Sequence, residues 1–162
     1  MSEDDRNESQ YDRLMDAAID QALAARRAGD VPIGAVIANA DGEIIAEAHN
    51  RRIIDADPTA HAEILAIRAA ASAIGDWRLG GCTMVVTLEP CCMCAGAIVL
   101  ARMDRVVYGA TDPKAGAVNT LYQLCSDPRL NHRCEVVAGV QAAQCGQLLT
   151  DFFRAQRAAG KK

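Results

Sequence analysis

Segments of helical periodicity alternate with short strand-like runs along this sequence, and this alternation limits the folds that the chain can adopt. Apolar side chains recur at helical spacing over residues 12–28, and Gly29 follows as a stop signal. Because helices and strands alternate, the sequence predicts an α/β protein with a mixed sheet covered by helices on both faces. Further helices are expected at about residues 59–73, 90–101 and 143–159, and strands at residues 33–40, 43–48, 83–88, 105–109 and 135–138.

The connections between the strand candidates indicate how they pair. Asp41 and Gly42 stand between the first two candidates, which is typical of a tight antiparallel hairpin. About 25 residues separate the last two candidates, enough for a crossover, so these two strands are expected to be parallel. The length of 162 residues fits a single domain over residues 1–162, in which residues 1–10 are expected to be flexible.

Composition and cysteine usage exclude several classes of protein. The longest apolar stretches fall far short of the roughly 20 residues that a membrane-spanning helix needs, and the acidic first residues do not resemble a signal peptide. The seven cysteines are an odd number, and two of them have a Cys-x-x-Cys spacing, which favours a metal or redox site over a disulfide framework. We therefore expect a cytoplasmic protein with no membrane partner.

Net charge does not decide whether the partner is a nucleic acid. The formal charge of the chain is −4, but residues 1–20 alone carry −5 and the rest of the chain carries +1. A basic face could therefore exist near the C-terminus, although the solvated end of a helix explains the same charges equally well.

Two short segments at expected helix starts carry residues suited to chemistry: HAE at residues 61–63 and PCCMC at residues 90–94. Imidazole nitrogen and thiolate sulfur are ligands that zinc prefers, and a catalytic zinc keeps three protein ligands and one open position. Cys91 and Cys94 are three residues apart and can face one point, while His61 can supply the third ligand. The sequence therefore predicts one catalytic Zn²⁺ per chain.

Glu63 is expected to stay off the metal and to move protons to and from the metal-activated water. Each motif alone has an ordinary explanation, because His-x-Glu often arises by chance and Cys-x-x-Cys also occurs in redox pairs and structural zinc sites. Together, in this order, they match the general signature of zinc deaminases. The remaining buried-type cysteines have no metal spacing and are expected to be small apolar residues: Cys82, Cys125, Cys134 and Cys145.

On these motifs the sequence resembles the cytidine deaminase superfamily, and within it the bacterial tRNA-specific adenosine deaminases. The resemblance extends from about residue 11 to residue 157. The zinc motif is shared by the whole superfamily, whereas the runs at residues 57–61, 109–117 and 130–133 point to the tRNA branch. The similar segments are VPIGAVI at 31–37, HNR at 49–51, DPTAHAEILA at 57–66, TLEPCCMCAGAI at 87–98, YGATDPKAGA at 108–117, LNHR at 130–133 and LLTDFFRAQR at 148–157.

This resemblance implies a three-layer α/β/α fold of the cytidine deaminase type with a five-stranded sheet, a homodimer, and a tRNA anticodon stem-loop as substrate. The implied reaction is hydrolytic deamination of adenosine to inosine at the wobble position. By analogy, Asn50 contacts the flipped purine, and Asp112 lies near the ribose of the target nucleotide. Further RNA contacts that the resemblance implies are Asn131, His132, Arg133 and Arg154.

Two other functions remain open from the sequence. An enzyme of the same superfamily that acts on a free base or nucleoside, such as guanine or cytosine, would carry the same zinc motif. A non-enzymatic protein with a structural zinc would need a fourth protein ligand, such as Cys82 or Cys125, to close the site.

Overall fold

The protein consists of four α-helices and five strands over residues 1–161, the part of the chain that the computed structural model describes. The helices are α1 (Glu3–Arg27), α2 (Ala62–Ile74), α3 (Cys92–Leu100) and α4 (Ala142–Ala158). The strands are β1 (Gly34–Ala38), β2 (Ile44–His49), β3 (Thr83–Leu88), β4 (Arg105–Ala110) and β5 (Glu135–Ala138), and a 3₁₀ turn covers Leu124–Ser126. Within the described residues, every helix is too short or too polar to cross a bilayer.

The five strands form one mixed sheet in the order β2-β1-β3-β4-β5. β1 runs antiparallel to both β2 and β3, whereas the β3–β4 and β4–β5 pairs are parallel. Gly42 has a φ of 80° in the hairpin turn between β1 and β2, a conformation that glycine adopts without strain. The α/β class and the parallel pairing of the last two strands are therefore confirmed.

Helices cover both faces of the sheet and complete the expected three-layer α/β/α arrangement. α2 and α3 share one apolar core with the sheet, in which Leu79, Met84 and Ile98 are fully buried. α1 and α4 contribute to a second core on the other face, which contains Met15 and Val85. Because both faces are covered, β1 and β3 are buried along nearly their whole length instead of alternating between core and solvent.

The first helix begins earlier than the sequence indicated. The Ser2 hydroxyl accepts a hydrogen bond from the Asp5 N–H, and the Asp5 carboxylate accepts one from the Ser2 N–H, which together form a capping box. Residues 3–10, which the sequence suggested would be flexible, are therefore helical in this structure. Periodicity did not reveal these turns because their side chains are mostly exposed, and the buried stripe begins only at Tyr11.

α2 and α3 begin two to three residues later than predicted, and this shift makes His61 and Cys91 their N-cap residues. Pro90 therefore precedes α3, which corrects the prediction that Pro90 is its first helical residue. An N-cap residue has an extended backbone and stands at the end of the helix that carries unpaired N–H groups and a partial positive charge. His61 and Cys91, two of the predicted metal ligands, thus lie at helix ends that carry a partial positive charge.

Candidate active site

Three side chains converge into a cluster of metal-ligand type. The ligand atoms of His61, Cys91 and Cys94 all lie within 4.8 Å of one another. The His61 Nδ1 atom is 3.6 Å from Cys91 Sγ and 3.5 Å from Cys94 Sγ. A tetrahedral zinc with bonds of about 2.3 Å to sulfur and about 2.0–2.1 Å to nitrogen requires nitrogen–sulfur separations of roughly 3.6 Å. The cluster therefore fits Zn²⁺ in both ligand type and spacing.

The start of each helix brings these ligands together. His61 caps α2 and Cys91 caps α3, while Cys94 lies in the first turn of α3. The N-terminus of a helix stabilises negative charge, so the end of α3 favours thiolates over thiols. Cys92, between the two sulfur ligands, is exposed and points away from the cluster, as expected for a residue one step further around the helix.

The protonation states of the three side chains also favour the binding of a divalent cation. A hydrogen bond from the Cys94 thiol lowers the pKa of Cys91 to about 4, against the opposing effect of burial. The same hydrogen bond, together with burial, raises the pKa of Cys94. Hydrogen bonding to Cys91 raises the pKa of His61. One sulfur is thus readily ionised, and a metal would displace the remaining protons as it binds.

Glu63 lies in the first turn of α2 and is only 4% exposed. Burial raises the pKa of the Glu63 carboxyl, and the neighbouring Cys91 thiolate acts in the same direction. Glu63 is not part of the three-residue ligand cluster, but it lines the same cavity as His61 and Cys91. A buried carboxyl that holds a proton more tightly than usual is suited to accept a proton and return it during a reaction.

The cluster borders a cavity of about 520 Å³ at the carboxyl ends of β3 and β4. This is the edge where open α/β sheets bind ligands, and the volume is typical of small-ligand sites. The cavity therefore brings the expected metal ligands together with two of the expected substrate contacts. Besides His61, Glu63 and Cys91, its lining includes Asn50, Arg52, Asp112, Leu149, Thr150 and Phe153.

A buried carboxylate that sequence reasoning missed, Asp30, holds the wall of the cavity that carries Asn50. Asp30 Oδ2 accepts hydrogen bonds from the N–H groups of residues 53–54, and Oδ1 accepts one from the Asn50 side-chain amide at 3.2 Å. The Asn50 amide also donates to the Val31 carbonyl, so both of its hydrogens are used within the protein. The Asn50 Oδ1 atom accepts from the Arg52 N–H and keeps one further lone pair for a ligand.

A second buried carboxylate, Glu89, holds the opposite wall, formed by residues 111–120 (the Asp112 loop). Its oxygens accept hydrogen bonds from the N–H groups of Asp112 and residues 118–120 and from the Thr120 hydroxyl. Burial by itself would raise the pKa of Glu89, but these hydrogen bonds outweigh it and lower the pKa below its usual value. The sequence offered no signal for this role, because the partners lie more than twenty residues away.

Asp112 itself caps a turn within its loop. Asp112 Oδ1 accepts hydrogen bonds from the N–H groups of Lys114 and Ala115 at 3.0 and 3.2 Å. Its Oδ2 atom makes no hydrogen bond within residues 1–161, and the side chain borders the cavity. Asp112 therefore has a structural role through one oxygen and an acceptor for a ligand in the other.

Three of the residues that the resemblance implied as RNA contacts lie away from this cavity. Asn131, His132 and Arg133 precede β5, and the His132 Nε2–H donates to the Met103 carbonyl just before β4. Since β4 and β5 are parallel, this edge of the sheet is opposite the one that carries the metal cluster. Arg154 is exposed on α4, a helix that also lines the cavity. Of these four residues, Arg154 alone lies on an element that lines the cavity, and RNA contacts by all four stay predictions.

The remaining cysteines behave as small apolar residues. The Cys125 Sγ atom lies 3.9 Å from the Ala95 carbonyl, inside the core that α3 shares with the sheet. Within residues 1–161, neither Cys82 nor Cys125 joins the metal-ligand cluster, so neither supplies the fourth ligand that a structural zinc would need. Four of the seven cysteines are buried outside the cluster: Cys82, Cys125, Cys134 and Cys145.

Comparison with known proteins agrees with this geometry. Residues 8–110 match the family model described as the cytidine and deoxycytidylate deaminase zinc-binding region. A tRNA-specific adenosine deaminase from Bacillus subtilis (strain 168) is 51% identical over 149 residues, 92% of each chain. A solved structure from work on A-to-I editing by tRNA:A34 deaminases at the wobble position of transfer RNA is 44% identical, with a TM-score of 0.81 over 85% of this chain and 99% of that one. A guanine deaminase from Bacillus subtilis is 43% identical, with a TM-score of 0.59 over 61% of this chain and 63% of that one.

The chain belongs to the cytidine and deoxycytidylate deaminase family, whose zinc-binding region covers more than half of its length. Its class is therefore that of a zinc-dependent deaminase, with Zn²⁺ as the cofactor that the cluster of His61, Cys91 and Cys94 fits. Within the family, relatives that are 44% and 51% identical are tRNA-specific adenosine deaminases. The family resemblance seen in the sequence is confirmed.

Proposed function

We propose that this enzyme hydrolyses adenosine to inosine at the wobble position of a tRNA anticodon loop. The observation that carries the proposal is the likeness to the tRNA:A34 deaminase structure, which is 44% identical and is covered over 99% of its length. Identity of 51% to a tRNA-specific adenosine deaminase across 92% of both chains supports the same substrate. The zinc-type cluster and the buried Glu63 in one cavity supply the chemistry that this reaction needs.

The shape of the site favours a base from a loop. The cavity is concave, and the cluster of His61, Cys91 and Cys94 lies half-buried at its border, so a base stacked within a helix could not reach the cluster. Turning a base out of a hairpin loop costs less than breaking a base pair and its stacking. A single-stranded loop that presents one base to the cavity is therefore the preferred substrate.

Glu63 has the central role in moving protons during hydrolysis. Bound by His61, Cys91 and Cys94, zinc would supply acidification of water and charge stabilisation at the reacting carbon. Glu63 accepts a proton from the attacking water and delivers it to the ring nitrogen beside the amino-bearing carbon. It then carries the second proton of that water to the departing amine as the bond between carbon and the amine breaks, so that adenosine and water give inosine and ammonia. Backbone N–H groups near the start of α3 are positioned to stabilise negative charge on the incoming oxygen.

Two side chains orient the substrate on opposite walls of the cavity. Asn50 offers the remaining lone pair of its Oδ1 atom to an N–H group of the purine, because Asp30 and Val31 fix the orientation of its amide. Asp112 offers its Oδ2 atom to the ribose 2′-hydroxyl, a donor that RNA has and DNA lacks. Arg154, Asn131, His132 and Arg133 are the further RNA contacts that the family resemblance suggests.

The enzyme is expected to work as a homodimer in the cytoplasm, where its tRNA substrate is found. The segment that forms α3 is rich in small and apolar residues, and Leu100 at its end is 69% exposed. An exposed apolar side chain next to such a helix suits packing against a second subunit. Light scattering at micromolar concentration should give the dimer mass, and a fully active monomer would contradict this part of the proposal.

The reaction can be tested with purified protein, total tRNA and nucleoside mass spectrometry. Inosine should appear with the wild-type enzyme and should be lost with Glu63→Ala, although the variant should keep one zinc per chain. General acid–base groups contribute roughly 10²–10⁴-fold, which sets the minimum expected loss. Cys92→Ser is the matched control, because Cys92 is exposed on the same helix as two ligands and should leave activity unchanged. Full activity in zinc-loaded Glu63→Ala would exclude the proposed role.

Deamination of free guanine is the alternative function that one observation favours. The guanine deaminase from Bacillus subtilis is 43% identical over 61% of this chain. This likeness covers less of both chains than the likeness to the tRNA:A34 deaminase, and its TM-score is lower. Ammonia released from guanine alone, with no inosine formed in tRNA, would make this alternative the function.

A further inference from the structure

Glu89 stands between the end of β3 and the metal ligand Cys91, yet the chemistry described above does not use it. We infer that Glu89 is a positioning residue: its carboxylate holds the Asp112 loop in the place beside the cavity that substrate binding requires. This inference rests on the proposed function, because Asp112 is the substrate contact through which Glu89 would act.

The hydrogen bonds of Glu89 span the whole Asp112 loop. Its Oε1 atom accepts from the Asp112 N–H at the start of the loop, and its Oε2 atom accepts from the N–H groups of residues 118–120 at the end. The Thr120 hydroxyl donates to Oε1 as well. A single carboxylate therefore accepts hydrogen bonds from five donors of the loop, so the loop geometry depends on one side chain.

The loop packs closely around the Glu89 carboxylate, and Gly116 allows this close approach because it has no side chain. A Cβ atom at Gly116 would clash with the Glu89 carboxyl group and would lie 2.6 Å from the Asp112 carbonyl oxygen. The Ala117 N–H also donates to the Pro90 carbonyl at 2.8 Å, so the loop is tied to the segment that leads into Cys91. The Asp112 loop and the start of α3 are thus held as one unit around the Glu89 side chain.

This arrangement connects loop position to substrate binding. Lys114 and Ala115, whose N–H groups are capped by Asp112, line the cavity together with Asp112. Glu89 lines the cavity, but it is only 2% exposed and both of its oxygens already accept hydrogen bonds from the loop, so its role is to hold the loop and not to bind the substrate itself. It should therefore influence binding through Asp112 and leave the proton transfers of Glu63 untouched.

Glu89→Gln is the first test, because it keeps the shape of the side chain but turns one acceptor oxygen into a donor that faces N–H groups. We expect the KM for an RNA anticodon stem-loop to rise by about tenfold or more, with kcat within about threefold and zinc content unchanged. In an Asp112→Ala background, Glu89→Gln should change KM by less than about threefold, because the contact through which it acts is already gone. Glu135→Gln is the matched control, since Glu135 is an exposed carboxylate paired with Arg105 at the opposite edge of the sheet.

Amide hydrogen exchange gives a readout that does not depend on the substrate. In Glu89→Gln, protection should fall at residues 112 and 118–120 and remain unchanged in α2. If Glu89→Gln misfolds, Thr120→Val removes one donor only and should raise KM in the same direction by a smaller factor. A kcat loss of equal size in the wild-type and Asp112→Ala backgrounds, or unchanged protection of the loop amides, would overturn the positioning role. If the wild-type enzyme does not act on the stem-loop, while the Glu89→Gln variant still loses protection of the loop amides, the proposed substrate is refuted and the positioning of the loop by Glu89 is not.

Discussion

The protein contains two groups of one histidine and two cysteines, at opposite edges of the same sheet, and only one of them has the geometry of a metal site. His61, Cys91 and Cys94 have their ligand atoms within 4.8 Å of one another at the carboxyl end of β3. At the opposite edge, Cys125 and Cys134 are neighbours, with the Cys134 N–H donating to the Cys125 carbonyl at 2.7 Å. The residue types are the same, so the difference must come from the elements that carry them.

The position of the histidine distinguishes the two groups. At the cavity edge, the His61 Nδ1 atom faces both sulfur atoms. At the other edge, the His132 Nε2–H donates to the Met103 carbonyl at 2.6 Å, and Cys125 and Cys134 are buried in the apolar core. A hydrogen bond with Cys134, together with burial, raises the pKa of Cys125, so this thiol stays protonated. The same hydrogen bond and the nearby His132 lower the pKa of Cys134. The first group lies at two helix N-termini and has the spacing of a zinc ligand set, whereas the two cysteines of the second group pack in the apolar core.

The largest expected effect is on zinc content. Cys91→Ala removes one of three ligands and should reduce bound zinc from one per chain to nearly none, with deamination falling to background. Cys134→Ala should keep one zinc per chain, because Cys134 belongs to the packing group. Elemental analysis of both purified variants measures this difference. Equal zinc contents in the two variants would remove the distinction between the groups.

The next effect concerns how the cavity edge recognises RNA. Asp112→Asn should lower kcat/KM on an RNA anticodon stem-loop by roughly tenfold, because a charge-assisted hydrogen bond to the ribose becomes a neutral one. The same substitution should improve the reaction on the DNA version of the hairpin, since DNA leaves the carboxylate without a donor. The measurement is kcat/KM for both hairpins with both proteins. An equal change on RNA and DNA would mean that Asp112 only caps its turn, as its bonds to Lys114 and Ala115 allow.

A smaller effect is expected on stability at the opposite edge. Cys125→Ala leaves a void in the core between α3 and the sheet, where Cys125 is fully buried, and should destabilise the protein by about 1–2 kcal/mol. Deamination below the unfolding temperature should stay within about twofold of the wild type. Urea unfolding followed by circular dichroism measures the change in stability. Loss of zinc or activity in the folded variant would show that the packing group contributes to the site.

The smallest effect separates two arginines that the family resemblance implied as RNA contacts. Arg154 lies on a helix that lines the cavity, whereas Arg133 lies at the opposite edge. For Arg154→Ala we expect the slope of log KM against log salt concentration to fall by about one, as for the loss of one phosphate contact, and for Arg133→Ala we expect no change. A reduced slope in Arg133→Ala would mean that the opposite edge meets RNA in the assembled enzyme.

Much of the candidate site could be predicted from local sequence. The spacing of Cys91 and Cys94 is a property of one helical turn, and the pairing of ligand types with zinc is general chemistry, so neither depends on the rest of the chain. The alternation of strands and helices similarly indicated the mixed sheet. The first turns of α1 were missed because their side chains mostly face solvent and show no apolar periodicity. What begins the helix there is the polar capping box of Ser2 and Asp5.

The sequence by itself determined the α/β class and the candidate zinc ligands, and it predicted a separate role for Glu63, because these depend on repeating patterns, on short motifs and on the general chemistry of the residue types. Only the tertiary structure decided that Asp30 and Glu89 hold opposite walls of the cavity, and that Asn131, His132 and Arg133 lie at the other edge of the sheet. The physical reason is the separation along the chain between the groups that interact. A buried carboxylate is stabilised by whichever donors the fold brings to it, and for Glu89 those donors are 23 to 31 residues away in the chain.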